Sequence, residues 1–117
     1  MVFKFEKLEV WQLSLEYSDK VYEIIKAFPT KEQYNLTSQM LRASTSISLN
    51  IAEGSTSQSD MEFHRFIGIA IRSLIEVIGC LHLAKRRKYI GDKAFDEVYT
   101  FGEKMFAKLQ ALKKKLE

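Results

Sequence analysis

Glu53 and Glu76 are the carboxylates whose pairing would carry acid–base or metal chemistry, and His64, His82 and Cys80 are the nearby groups with ligand or nucleophile character. Two carboxylates on facing helices are the minimum for glycoside hydrolysis or for a di-metal site. A di-metal bundle also needs Glu-x-x-His pairs, with the His three residues after the Glu. Thr56 and Gly79 stand at those positions. His82, six residues from Glu76, falls on another face of the same helix. The single cysteine excludes an intrachain disulfide and gives no zinc spacing with the two histidines. A lone Cys among apolar residues is ordinarily a packing residue. The stretch EGSTSQSD suggests a phosphate loop, but it has one Gly, no Lys and no strand before it. The expectation is a protein without catalytic residues, metal or cofactor, whose polar groups are structural.

Those polar groups fall in a row. Gln39, Arg42, Ser46, Asn50 and Glu53 follow helical steps beside an apolar stripe of Leu36, Met40, Ala43, Ile47 and Ile51. Ser73 and Glu76 lie mid-helix in the next apolar segment. Gln39, Arg42, Asn50, Glu53, Ser73 and Glu76 are therefore expected to form an interhelical polar network, with Asn50 nearest the core and fixing register.

Four helical segments position these residues. The first presents Leu8, Trp11, Leu15, Ser18, Tyr22 and Ile25 on one face and ends at Pro29. A capping box at Thr30 and Gln33 starts the second, and Gly54 is expected to end it. Ser59 with Glu62 caps the third, whose heptad seam of Phe63, Ile67, Ala70, Leu74, Val77, Leu81 and Ala84 is the strongest periodicity in the chain. Asp92 is expected to cap the fourth, with Phe95, Val98, Tyr99, Met105, Phe106, Leu109, Leu112 and Leu116 as its stripe. The short connections imply an all-α, antiparallel up-down-up-down four-helix bundle, one domain over residues 1–117.

The first helix carries a second apolar row, Val10, Tyr17, Val21, Ile24 and Phe28. It is expected to be an oligomer interface, since one stripe per helix suffices for a monomeric bundle. Further apolar residues off the seams, Ile69, Ile71, Ile75, Cys80 and Leu83 on the third helix and Leu41, Leu49 and Ala52 on the second, argue the same way.

The composition, 46% hydrophobic and 28% charged over 117 residues, is that of a folded protein. No leader-like stretch or apolar run of membrane-span length stands out, so a cytoplasmic location and no membrane partner are expected. The net charge of +3 is uneven. Residues 1–60 hold six basic and eight acidic residues, residues 61–117 twelve and seven. Much of the excess lies in two clusters, Lys85, Arg86, Arg87 and Lys88, and Lys113, Lys114 and Lys115. Cations collect at helix C-termini for electrostatic reasons alone. They also neutralise phosphates, so RNA or DNA, bound without sequence specificity, is the expected partner. The alternative is a protein-interaction scaffold that binds through apolar surface.

The segments FEKLEVWQLSLEYSDKVYEIIKAFPTKEQYNLTSQMLRASTSISLNIAEG and SDMEFHRFIGIAIRSLIEV resemble the bacterial four-helix-bundle proteins encoded in intervening sequences of large-subunit ribosomal RNA genes. The most specific pieces are Leu8 with Val10, Trp11 and Gln12, Phe28-Pro29 with Glu32, Gln39 with Arg42-Ala43, Asn50 to Gly54, Glu62-Phe63 with Phe66, and Ser73 with Glu76. Arg72 departs from the family, which usually has Gly before the serine of the third helix. The resemblance implies an antiparallel bundle that assembles into rings, commonly pentamers. It also implies similarity to the accessory protein of diversity-generating retroelements, a basic barrel that binds a reverse transcriptase and nucleic acid.

Overall fold

The computed structural model describes residues 2–117. Four helices, α1 (Glu9–Ile24), α2 (Leu36–Ser55), α3 (Asp60–Arg86) and α4 (Asp92–Lys115), are joined by short turns that include 3-10 segments at Ile25–Ala27 and Thr30–Glu32. Another 3-10 turn, Lys4–Lys7, precedes α1. Each helix packs on its neighbour in the chain, and α4 packs back on α1. The result is an antiparallel up-down-up-down bundle of 44 × 23 × 23 Å, with α1 and α3 diagonally opposed.

The heptad seam of α3 is the centre of the core: all seven of its residues are buried, five of them completely. Burying a Leu or Ile side chain contributes about 1.5–3 kcal/mol, so this stripe alone commits α3 to the interior. Leu36, Met40, Ala43, Ile47 and Ile51 of α2 face it, also buried. An 18-residue window of α3 reaches a mean hydropathy of 1.8, long and apolar enough by length and composition to cross a membrane. This corrects the sequence expectation that no such stretch exists. The same composition suits a core helix with neighbours on two sides.

In α1 the expected roles of the two apolar rows are exchanged. Val10, Tyr17, Val21 and Ile24 are buried inside the chain, and Phe28 is half-buried against the core and Tyr89. They cannot serve as an exposed oligomer interface. Leu15 and Tyr22, from the row expected to be buried, are exposed, while Leu8, Trp11 and Ile25 are half-buried at its edge. The physical reason is the acidic face. Glu9, Glu16, Asp19 and Glu23 project opposite the Val10 to Ile24 row and must stay in water, so that row turns inward. On α3, Ile71 and Cys80 likewise prove to be core, whereas Ile75 and Leu83 are exposed.

Three expected helix ends differ in detail. The capping box at Thr30 is not formed. Pro29 precedes a separate 3-10 turn, and α2 begins only at Leu36, whose N–H donates to the Glu32 carboxylate at 3.4 Å. Gly54 lies inside α2 rather than beyond it, and Gly91 rather than Asp92 occupies the N-cap of α4. The cap of α3 is as expected, with Ser59 Oγ accepting from Glu62 N–H at 3.1 Å.

Candidate nucleic-acid interface and polar network

The polar network forms in part, at the α2–α3 seam. Asn50 Nδ2 donates to the Ser46 carbonyl at 2.8 Å and to Ser46 Oγ at 3.0 Å. Ser73 Oγ lies 2.9 Å from Ser46 Oγ and 3.1 Å from the Ile69 carbonyl, so its one proton is shared between them. This chain links the two helices through groups that are not fully solvated, where each bond is worth about 1 kcal/mol net. Arg42 Nη2 and Glu76 Oε2 stand 3.5 Å apart on the surface above it. A pair this exposed contributes little. Gln39 and Glu53 do not join. Gln39 bonds back to Asn35 at 3.4 Å, and the Glu53 side chain is exposed and makes no hydrogen bond or ion pair among the described residues.

Three other serines of α2 serve packing. Ser44, Ser48 and Ser55 are buried, each donating to a carbonyl one turn back at 2.8–3.1 Å. Their hydroxyls are satisfied within their own helix, so they are buried without an orphaned polar group. Gly54 marks the close approach of α2 to α3: a Cβ there would lie 2.6 Å from Phe66 Cβ and 2.8 Å from the Phe63 ring.

Glu53 and Glu76 do not form a carboxylate pair with His64, His82 or Cys80 beside it among the described residues. Glu76 is engaged with Arg42, and Glu53 is solvated. His64 Nε2 lies 3.8 Å from the Glu117 carboxylate, and His82 stacks edge-on against Phe95 and Tyr99. Among the described residues no group of three or more His, Cys, Asp and Glu side chains could hold a metal ion. Burial, with the nearby Glu76 charge, pushes the Cys80 thiol up, the direction opposite to that of a reactive thiolate.

The two basic clusters end α3 and α4, and because these helices are antiparallel they sit at opposite ends of the bundle. Lys113 lies against Gly68 near the start of α3, its Cε 3.8 Å from where a Cβ would stand. Gly68 and Lys85 are separated by about 25 Å of helix. Within the first cluster Lys85 is committed to the fold, with Nζ 3.4 Å from Asp92 and 4.3 Å from the Phe95 ring centroid. Arg86, Arg87 and Lys88 are exposed. Lys88 has φ of 63° at the C-terminal turn of α3, where Lys88 N–H bonds to the Lys85 carbonyl and Tyr89 N–H to the Ala84 carbonyl. This left-handed position favours Gly, and a side chain there costs about 1 kcal/mol. At the other end, Arg65 and His64 line the same open 810 Å³ depression as Lys113 and so add to that cluster. They are 48 or more positions from Lys113 in sequence, so only the antiparallel pairing of α3 and α4 brings them together.

A second polar cluster, unanticipated from sequence, ties the two turns at the Lys88 end. The buried Glu32 carboxylate accepts from Tyr89 Oη at 2.7 Å and from Asn35 Nδ2 at 3.0 Å. The Tyr89 hydrogen bond, then that of Asn35, holds the Glu32 carboxyl below the usual range, and Arg87 adds to this. Tyr89 is raised in turn by the same bond. The sequence marked Glu32 only as part of the family-like piece with Phe28-Pro29, and placed it inside the second helix.

This arrangement defines an antiparallel helical bundle with a polar α2–α3 seam and exposed cations at both ends. The family model described as 23S rRNA-intervening sequence protein matches residues 6–111, and the chain belongs to that family. The fold is similar to a crystal structure from Bacteroides thetaiotaomicron VPI-5482, described as a protein with unknown function from the S23 ribosomal protein family. The TM-score is 0.81 at 27% identity, over 90% of this chain and 98% of that one. No curated protein matches. The family is one of unknown function. Arg72, the departure from the family pattern, stands exposed on the outer face of α3 and not in the α2–α3 seam, so the close approach of those helices does not depend on it.

Proposed function

We propose that the protein is a noncatalytic, self-associating bundle that binds RNA or DNA through its basic ends, contacting phosphates without reading sequence. One observation carries this reading: Arg86, Arg87, Lys88, Lys113, Lys114 and Lys115 make no ion pair among the described residues. Their charge is available to an outside polyanion. A cluster of three such residues per end is weak alone, and the ends are too far apart to act as one patch on a single chain. Self-association repeats each cluster and converts modest attraction into avidity. Exposed Leu15, Tyr22, Leu49, Ile75 and Leu83 supply apolar surface for it.

A protein-interaction scaffold is the second reading, favoured by the apolar groove of 340 Å³ between α3 and α4, where Ile75 and Phe106 are exposed. Fluorescence anisotropy with labelled single-stranded RNA, single-stranded DNA and duplex DNA, at about 50 and 200 mM salt, separates the two. Binding to all three that weakens steeply with salt is expected. Absence of binding to any of them at the lower salt overturns the nucleic-acid reading.

A further inference from the structure

Tyr17 Oη is, among the described residues, the one buried side-chain polar atom with no hydrogen-bond partner in the chain. Burying a hydroxyl in this way costs about 1–3 kcal/mol, which Phe in its place would avoid. The ring is fully buried and stacks on Phe101 with 5.7 Å between centroids, so the hydroxyl is held in one position. Burial also raises the phenol pKa, and at neutral pH the hydroxyl keeps a proton to donate.

That position is behind the wall of the groove between α3 and α4. Gly102 and Ile78 both line the groove, and a Cβ on Gly102 would stand 2.8 Å from Ile78 Cδ1 and 3.0 Å from Tyr17 Oη. Tyr17 Cζ is farther from the same point, at 3.6 Å, so the hydroxyl is directed at it. Ile78 is half-buried, and rotation of its last side-chain bond between staggered wells moves Cδ1 aside. Gly102 costs about 1 kcal/mol relative to Ala inside a helix, and any side chain there would fill the space over Tyr17 Oη. Leu74, Ile75, Tyr99 and Phe106 form the rest of the apolar wall, and Glu103 is the only charged residue of the lining. At 340 Å³ the groove has the size of a small-molecule site.

Each feature selects a property of the occupant. The walls select an apolar body, the hydroxyl selects a hydrogen-bond acceptor, and the Glu103 charge rejects a carboxylate or phosphate. We infer that the α3–α4 groove binds a small uncharged apolar molecule with one hydrogen-bond acceptor, which accepts from Tyr17 Oη once the Ile78 methyl turns aside. Binding satisfies the donor that the free chain buries without a partner. The site is independent of phosphate binding at the bundle ends, and it gives to a small molecule the groove that a protein scaffold would use.

The test is a titration of the isotope-labelled full chain, read by amide chemical shifts in NMR spectra, with acetophenone, ethylbenzene and benzoate as probes of similar shape. Acetophenone is expected to shift the amides of residues 74–78 and 99–106 and to bind about fivefold more tightly than ethylbenzene, which lacks the acceptor. Benzoate is expected to bind more weakly than either, because its charge meets Glu103. Tyr17→Phe should reduce acetophenone to the level of ethylbenzene and leave ethylbenzene unchanged, a selective loss that a merely structural Tyr17 would not produce. Gly102→Ala should weaken acetophenone about tenfold by filling the space over the hydroxyl. Shifts at these amides with none of the three probes would overturn the small-molecule site and leave the groove to a protein side chain. Equal binding of acetophenone and ethylbenzene, or a ratio that Tyr17→Phe does not change, overturns the part given to the hydroxyl. Benzoate bound as tightly as acetophenone overturns the uncharged class.

Discussion

Gly54 and Gly102 both sit where a methyl group would collide, yet they serve contacts of different kinds. At Gly54 the neighbours are Phe66 Cβ, fixed to the α3 backbone, and the Phe63 ring. At Gly102 the nearest atom is Ile78 Cδ1 at 2.8 Å, the free end of a side chain bordering an open groove, followed by Tyr17 Oη at 3.0 Å. The α2–α3 seam is thus closed by backbone proximity and small residues, while α4 meets α1 and α3 through long side chains, including Tyr17 stacked on Phe101 at 5.7 Å. The first kind of seam has no slack; the second has some, and it leaves Tyr17 Oη buried without a partner. Burial alone holds the Tyr17 phenol far above its usual range, in its neutral form.

The largest expected effect tests the rigid seam. Gly54→Ala must push α2 from α3 and should lower stability by about 2–3 kcal/mol in chemical denaturation. A neutral result would mean the helices separate freely and would erase the distinction. Tyr17→Phe removes the orphaned hydroxyl and should raise stability by about 1 kcal/mol, visible as a higher Tm. Gly102→Ala should fall within about 1 kcal/mol of wild type, because helix propensity offsets the displacement of Ile78. A loss as large as that of Gly54→Ala would show that both glycines are equally constrained.

The smallest effect is read as a pH dependence at the Glu32–Tyr89 link. The folded carboxyl is depressed, so its stabilising contribution is complete above the ordinary carboxylate range and disappears as pH falls through the lowered folded value. Tyr89→Phe removes the largest cause of that depression. It should cut stability at neutral pH, and the gap from wild type should shrink on acidification. A gap that stays constant with pH would mean Tyr89 acts by packing on Phe28 alone.

The two seams also differ in how much of them the sequence displays. The α3 stripe was legible because seven apolar residues keep one unbroken heptad register, which the off-seam Ile69, Ile71, Ile75, Cys80 and Leu83 do not. The two rows of α1 were not distinguishable by spacing, since both have helical period. The acids at Glu9, Glu16, Asp19 and Glu23 held the information, because a face with four carboxylates must be outside. Gly54 reads as a helix terminator in sequence, and only the position of the Phe63 ring and Phe66 Cβ reveals its packing role. Of the polar network, Ser73 was placed by helical phase and crosses the seam to Ser46. Asn50, expected nearest the core and fixing register, is only half-buried and bonds to Ser46 within its own helix, and the Glu53 side chain turns to solvent. The separation of the basic clusters follows from the topology, and the Glu32–Tyr89 link, 57 positions apart, has no local signature.

In the proposed function the unpaired cations at the bundle ends are spent on phosphate. The direct measurement is the salt dependence of affinity for single-stranded RNA, comparing wild type with a variant carrying Arg86→Ala, Arg87→Ala and Lys88→Ala. Log affinity should fall linearly with log salt in wild type, and losing three phosphate contacts should reduce the slope by about 2. An unchanged slope, or no RNA binding by wild type at low salt, would contradict it.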